Sequence, residues 1–259
     1  MVLFPPAKIN IGLYITRKRE DGYHDLETVF VPVPELKDAL EAVPAKGDEP
    51  LIAVSGLPVA GKREDNLVWK AYKKLRARYP DKVPALDWYL HKAIPMGAGL
   101  GGGSADGAYA LRLLNSLCEL NMPEDAMATL ALELGSDCPF FLHDTPCFAS
   151  GRGEKLSPVS INLSGYTIKV VPSSIHVSTG KAFSLLKPHP APFDLRGLPE
   201  LPVQEWRERI GNDFEGPVFS MHPELRKAKE QLYAEGALYA QMSGSGSAVY
   251  GVFVNPSRG

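Results

Sequence analysis

Between Ala7 and Ile15 apolar and polar positions alternate, with Ile9, Ile11, Leu13 and Ile15 on one side and Lys8, Asn10, Gly12 and Tyr14 on the other. A period of two predicts a half-buried β-strand. The charged run 17–22 ends in Asp-Gly, a hairpin signal, and the β-branched and aromatic stretch 27–33 predicts a returning strand. Such a hairpin would put Lys8 and Asn10 on one face, near Tyr23 and His24.

Further on, residues 44–62 carry several Pro and Gly and suit short strands and loops, whereas 66–79 spaces Leu67, Ala71 and Leu75 as a helix does. Residues 86–93 predict a strand leading into a glycine-rich stretch, 95–104, which opens a helix through Ala108, Leu111, Leu114 and Leu117. Another helix is predicted at 124–134, with Pro123 before it and Gly135 after it, the usual asymmetry of helix ends. Composition changes after Gly153: 168–171 predicts a strand, the proline-rich 184–203 an irregular segment, and 224–235 a helix closed by Gly236. The final segment reads as strand, Gly/Ser loop, strand. These patterns predict two domains, 1–155 and 156–259, with no internal repeat.

Charge adds mainly exclusions. Lys plus Arg number 28 against 30 Asp plus Glu, so no net field favours nucleic acid or an anionic membrane, and neither is an expected partner. The stretch 236–257 is uncharged and long, but its serines, glycines, Gln241 and Asn255 make a buried hairpin the better reading than a membrane span. Cys118, Cys138 and Cys147 form no CxxC pair and no disulfide framework, which suits small buried side chains in a reducing compartment. Lys8 and Asn10 interrupt the apolar pattern too early for a signal peptide, so a cytoplasmic protein is expected. His91, His143, His176, His189 and His222 show no metal-binding spacing.

The stretch 97–103 carries five glycines in seven residues, immediately before a helix. Glycine allows positive φ and close backbone approach to an anion, and a helix start offers N–H groups and partial positive charge. The chemistry points to a phosphate chain. A Walker A loop is excluded because no lysine stands at its required place. The GxGxxG formed by Gly97, Gly99 and Gly102 lacks a ribose-binding acid at the end of a strand, since Glu119 is followed by Leu-Asn-Met-Pro.

Pro95, Met96, Gly97, Ala98, Gly99, Leu100, Gly101, Gly102, Gly103, Ser104 and Ala105 instead resemble the phosphate loop of the GHMP kinases. Two other segments agree. The run from Pro-Ala-Lys-Ile-Asn at 6–10 to Asp-Gly-Tyr-His at 21–24 resembles the branch of that superfamily acting on 4-diphosphocytidyl-2-C-methyl-D-erythritol, and Met-Ser-Gly-Ser-Gly-Ser at 242–247 resembles the C-terminal glycine motif. Gly-Ser-Asp-Cys-Pro-Phe-Phe at 135–141 belongs to the same match.

The resemblance implies an α+β, two-domain GHMP kinase fold, with a ribosomal-protein-S5-like N-terminal domain and a ferredoxin-like C-terminal domain around an active site in the cleft between them. It implies ATP as phosphoryl donor with Mg²⁺, and a small-molecule acceptor carrying a cytidine diphosphate group, phosphorylated on its 2-hydroxyl in the non-mevalonate route to isoprenoids. Asp137 matches the catalytic base and Lys8 the lysine that stabilises developing charge. Asn66 matches an asparagine near the adenine, and Ser104 is the candidate Mg²⁺ ligand; either also fits an ordinary helix N-cap. Tyr23 and His24 match cytosine contacts, Phe183 an aromatic on the base's other face, with Thr179 beside it, and Asn10 a contact to methylerythritol. Tyr23 and Phe183 also fit core aromatics, and Asp137 a turn cap. Two other functions stay open: a GHMP kinase for another small alcohol such as mevalonate or homoserine, and a non-catalytic nucleotide-binding protein.

Overall fold

A computed structural model describes residues 1–47, 49–143, 145–173 and 175–255. Its strands are Val2–Leu3 (β1), Pro6–Lys18 (β2), His24–Lys37 (β3), Ala39–Pro44 (β4), Ile52–Gly56 (β5), Leu86–Lys92 (β6), Cys147–Ser150 (β7), Lys155–Pro158 (β8), Tyr166–Val171 (β9), Tyr239–Met242 (β10) and Val249–Val254 (β11). The α-helices are Leu67–Arg78 (α1), Gly102–Leu117 (α2), Glu124–Leu134 (α3), Thr179–Ser184 (α4), Val203–Arg209 (α5), Glu215–Met221 (α6) and Pro223–Ala234 (α7). Contacts divide the chain into two compact units: one of the described residues of Met1–Ala7, Val33–Met96 and Gly101–Asp144, the other of those of Lys8–Pro32, Gly97–Leu100 and Thr145–Gly259.

The first unit holds a sheet in the order β1-β4-β6-β5, with β5 parallel to β6 and the other pairs antiparallel. Helix α1 starts where the Asn66 side chain accepts the Val68 N–H at 2.9 Å, and Arg76 and Arg78 in its last turn complement the helix dipole. Its buried stripe of Val68, Ala71, Tyr72 and Leu75 has helical spacing, and each fully buried large apolar side chain contributes roughly 1.5–3 kcal/mol. Tyr72 meets Trp88 of β6 at a centroid distance of 5.7 Å. Helix α2 lies close to α1 at Gly107, where a Cβ would come within 2.8 Å of the Leu67 Cβ.

In the second unit the sheets run β2-β3-β7-β8 and β10-β11-β9. Strand β2 departs from the half-buried expectation, because every residue from Ala7 to Ile15 is buried. Its polar side is covered rather than solvated, with Tyr14 Oη accepting the Gly211 N–H at 3.1 Å, and its backbone edge is satisfied as well: the Gly12 N–H donates to Gln241 Oε1 at 2.9 Å, Tyr250 Oη donates to the Asn10 carbonyl at 2.7 Å, and Leu13 bridges in parallel to Asn212. Gly12 itself has φ +66°, and a Cβ there would sit 2.6 Å from Leu195 Cδ2. A cluster of Leu13, Ile15, Val177, Phe214, Val218, Leu225, Leu232 and Met242 forms a core in this unit.

The proline-rich segment 184–203 contains a 3₁₀ helix, Leu195–Glu200, within otherwise irregular chain. Strands β1, β4, β7 and β8 and helices α4, α5 and α6 went unforeseen. The three helices are only six or seven residues long, too short for a helical period to register. The uncharged C-terminal stretch forms the antiparallel β10–β11 hairpin, with Tyr239 opposite Val252; its Pro256 and Ser257 lie outside the described residues. Among the described residues no helix is long and apolar enough to cross a membrane.

Candidate active site

The segment Gly97–Leu100 is fixed through its carbonyl oxygens. Ala98 O accepts the Ala248 N–H at 3.0 Å, and Leu100 O accepts the Lys8 N–H at 2.9 Å. Gly99 O accepts from both Lys8 Nζ, at 2.9 Å, and Ser243 Oγ, at 2.8 Å. In a planar trans peptide each carbonyl points opposite to the N–H that follows it, so anchoring these three oxygens turns the next N–H groups the other way. Gly97 and Gly99 have φ of +69° and +76°, and a Cβ on Gly99 would lie 2.0 Å from the Ser243 carbonyl oxygen. Glycine is therefore required at 99 by conformation and by space together.

Lys8 is 3% exposed, and its ammonium also donates to Asn10 Oδ1 at 2.6 Å. Asn10 is held in turn by donation from its Nδ2 to Thr28 Oγ1 at 2.9 Å, and Lys8 Nζ lies 5.0 Å from the centre of the Phe30 ring. The buried cation thus has a fixed place beside the loop, and Asn10 orients it.

In the first unit, Gly101 is the N-cap of α2, in the left-handed conformation with φ 72°. Ser104 is consequently the third residue of the helix and not its N-cap. Its hydroxyl hydrogen-bonds with the thiol of Cys138, which burial pushes up to about 12. Pro95 is half-buried, Met96 is 48% exposed, and Ala105 is fully buried under the helix start. Asn66 is the N-cap of α1, which leaves its amide nitrogen for another partner. Asp137 directly precedes a 3₁₀ helix, Cys138–Leu142, and makes no side-chain capping bond to it.

Tyr23 and His24 are not near Lys8 and Asn10. Asn10 pairs through its side chain with Thr28 and Thr16 bonds to the Asp25 carbonyl, so Tyr23 sits at the far end of the β2–β3 hairpin, in its turn. The hairpin is long, and a shared face does not bring its two ends together. Tyr23 is 58% exposed, with the Arg152 guanidinium 5.1 Å from its ring centre. His24 stacks on Phe183 with ring centres 5.0 Å apart and planes 21° apart, which leaves no base-sized gap between those two rings. Phe183 also packs edge-on to Phe214 at 4.8 Å, at the border of the core cluster. Thr179 is exposed at the start of α4, its hydroxyl 3.2 Å from that of Ser245.

Thr28 and Asn212 were not singled out from sequence, and Ser243 entered only as part of the glycine motif at 242–247. Asn212 Nδ2 donates to the carbonyls of Met242 and Gly244, at 2.8 Å each, and so shapes the second glycine motif. Nothing local marks Thr28 or Asn212, because their partners are distant in the chain. Asp106, on α2, has a carboxyl that burial raises to about 7 against the opposing pull of Lys92. Among the described residues no group of three or more His, Cys, Asp or Glu could hold a metal ion.

Two family descriptions match the chain: GHMP kinases N terminal domain over residues 66–145, and GHMP kinases C terminal over 197–259. Together they span more than half of it and define its class, the GHMP kinases, with their two-domain α+β fold. A relative from Parabacteroides distasonis, the 4-diphosphocytidyl-2-C-methyl-D-erythritol kinase, is 47% identical over 100% of this chain and 93% of its own length. The kinase of the same name from Bacteroides fragilis is 47% identical over 98% of this chain and 92% of its own. A crystal structure of 4-(cytidine 5'-diphospho)-2C-methyl-D-erythritol kinase superposes with a TM-score of 0.83 at 31% identity, covering 99% of this chain and 91% of that one. The chain belongs to the 4-diphosphocytidyl-2-C-methyl-D-erythritol kinase family. L. major mevalonate kinase, with a TM-score of 0.69 at 15% identity over 99% of this chain and 88% of its own, shares the fold alone.

Proposed function

We propose that this protein transfers the γ-phosphoryl group of ATP to the 2-hydroxyl of 4-diphosphocytidyl-2-C-methyl-D-erythritol, in the cytoplasm, as a step of isoprenoid precursor synthesis. The observation that carries this reading is the full-length 47% identity to kinases of that name, together with a buried Lys8 fixed on the glycine loop. The family uses ATP as phosphoryl donor. Residues 95–105 hold its phosphates, and Asn66 offers its free amide nitrogen to the adenine. Phosphoryl transfer asks little covalent chemistry of the protein, so positioning and charge neutralisation dominate.

In this reading Asp137 receives the acceptor hydroxyl's proton and Lys8 neutralises charge on the transferred group. Mg²⁺ prefers oxygen ligands and keeps several waters, so the Ser104 hydroxyl with the ATP phosphates is a sufficient donor set, and a cluster of carboxylates is not needed. The ion would neutralise phosphate charge during transfer. Asn10 both orients Lys8 and faces the methylerythritol moiety.

The separation of Asn10 from Tyr23 and His24 along β2 suits an elongated acceptor, with its alcohol at one end and its base at the other. The base stacks between Tyr23 and Phe183, with His24 leaving its stack on Phe183 to meet the base edge and Thr179 binding beside it. Phosphorus NMR of the product made from ATP, Mg²⁺ and the cytidylated methylerythritol tests the assignment. A new phosphomonoester resonance coupled to the 2-position supports it; consumption of ATP without that resonance contradicts it.

A further inference from the structure

We propose that Lys92, Asp38 and Asp106 form a buried clamp that positions the phosphate loop for ATP, and are positioning residues of the kinase reaction. Lys92 is the last residue of β6 and is 2% exposed. Its ammonium donates to a carboxylate oxygen of Asp38 and, at 2.6 Å, to Asp106 Oδ2 on α2. The other oxygen of Asp38 accepts the N–H groups of Ala93 and Ile94, at 2.6 and 2.8 Å. The Asp38 N–H donates to the Pro5 carbonyl at 2.9 Å.

These bonds grip both ends of the glycine-rich segment. Residues 92–94 lead directly into Pro95, and Asp106 lies one helical turn past Gly102. Gly102 packs against the same unit: a Cβ there would be 2.8 Å from Ile94 Cγ2 and 3.3 Å from Lys92 Nζ. Strand exit and helix start are therefore locked to one ammonium group, and a shift of either end moves the other.

Stability is a poor account of this arrangement. A buried ion network bears a desolvation cost that well-packed apolar residues of similar size do not. Asp106 Oδ1 is moreover buried with no hydrogen-bond partner. What a rigid ionic clamp supplies, and an apolar cluster does not, is directional control of the backbone on which the phosphate-binding N–H groups are carried.

The inference rests on the glycine loop being the ATP phosphate site, so the test reads nucleotide binding directly. Full-length wild type, Lys92→Met, and the triple variant Lys92→Met/Asp38→Asn/Asp106→Asn are compared by urea denaturation, by binding of a fluorescent ATP analogue, and by KM for each substrate. Lys92→Met removes the shared partner of two buried carboxyl groups and should lose stability; the triple variant removes all three ionisable groups and should recover much of it. The clamp predicts that ATP affinity does not recover with stability, but stays on the order of 10-fold weaker in the triple variant while acceptor KM changes little. If Lys92→Met does not fold, the triple variant alone carries the comparison, with Asp106→Asn as a milder substitution expected to shift the ATP KM in the same direction. Wild-type ATP affinity in the triple variant, or an equal rise in both Michaelis constants, overturns the clamp. A wild type that fails to bind the analogue overturns the loop assignment itself.

Discussion

Lys8 and Asn10 sit in a strand whose neighbours are apolar on both sides, and Asn10 Oδ1 and Gly99 O both accept from the buried Lys8 amine. Asp137 is placed differently, at the start of a short 3₁₀ helix that its side chain does not cap. If it takes the acceptor proton, Asp137→Asn should lower turnover by ~10² to 10⁴ while ATP and acceptor dissociation constants stay near wild type. Steady-state kinetics beside equilibrium binding would check this, and turnover within a few-fold of wild type would leave Asp137 a structural residue. The cysteines give a second expectation. Burial raises the thiols of Cys138 to about 12 and Cys147 to about 11, so at pH 8 both remain protonated and poor nucleophiles. Iodoacetamide at that pH should modify Cys118, which is partly exposed, well before either of the others, as read by peptide mass spectrometry. Rapid modification of Cys138 in folded protein would contradict the packing described.

At the scale of elements, the helices α1, α2 and α3 were legible because a 3.6-residue period repeats over three turns or more and the ends carry their own signals. Asn66 and Pro123 mark two of the starts. Strand β2 was legible as a strand but not in its burial, since period two reports which residues share a face and not whether a second layer covers the other one. The residues that do so, Leu195, Ile210 and Gly211 among them, come from far along the chain. The glycine loop was legible by composition, whereas its support by Ser243 was not. A pair of substitutions separates fold from ligand here. Gly99→Ala places a methyl group against the Ser243 carbonyl at positive φ and should cost about 1–3 kcal/mol in backbone strain alone, seen as a lower denaturation midpoint. Gly103→Ala meets no atom within 4 Å inside α2, and should raise stability by about 0.5–1 kcal/mol while weakening ATP binding if phosphates occupy that space. A Gly103→Ala protein with unchanged ATP affinity would move the phosphates off this part of the loop.

For the whole molecule, residues 8–32 belong with residues beyond 145 in one compact unit, a long-range association that no local pattern encodes. The family match was legible in short segments: the glycine loop, the N-terminal hairpin, and the glycine motif at 242–247. How far apart the hairpin carries its two sets of candidate residues required coordinates. In the proposed function, acceptor specificity lies at the cytidine end. Base stacking on an aromatic side chain contributes roughly 1–3 kcal/mol, so Phe183→Ala should reduce kcat/KM for the acceptor by ~10-fold or more with the KM for ATP little changed. An equal effect on both substrates would indicate that Phe183 acts through the Phe214 core.

Remote binding energy from a group that does not react can be used to position one that does, so an acceptor lacking the cytidylyl group should lose turnover as well as affinity. The most direct measurement is kcat/KM with ATP and Mg²⁺ for 4-diphosphocytidyl-2-C-methyl-D-erythritol, the methylerythritol phosphate without cytidylyl group, mevalonate and homoserine, side by side. Efficient phosphorylation of the cytidylated compound and negligible turnover of the other three is the predicted result; comparable turnover of mevalonate, homoserine or the uncytidylated phosphate would contradict it.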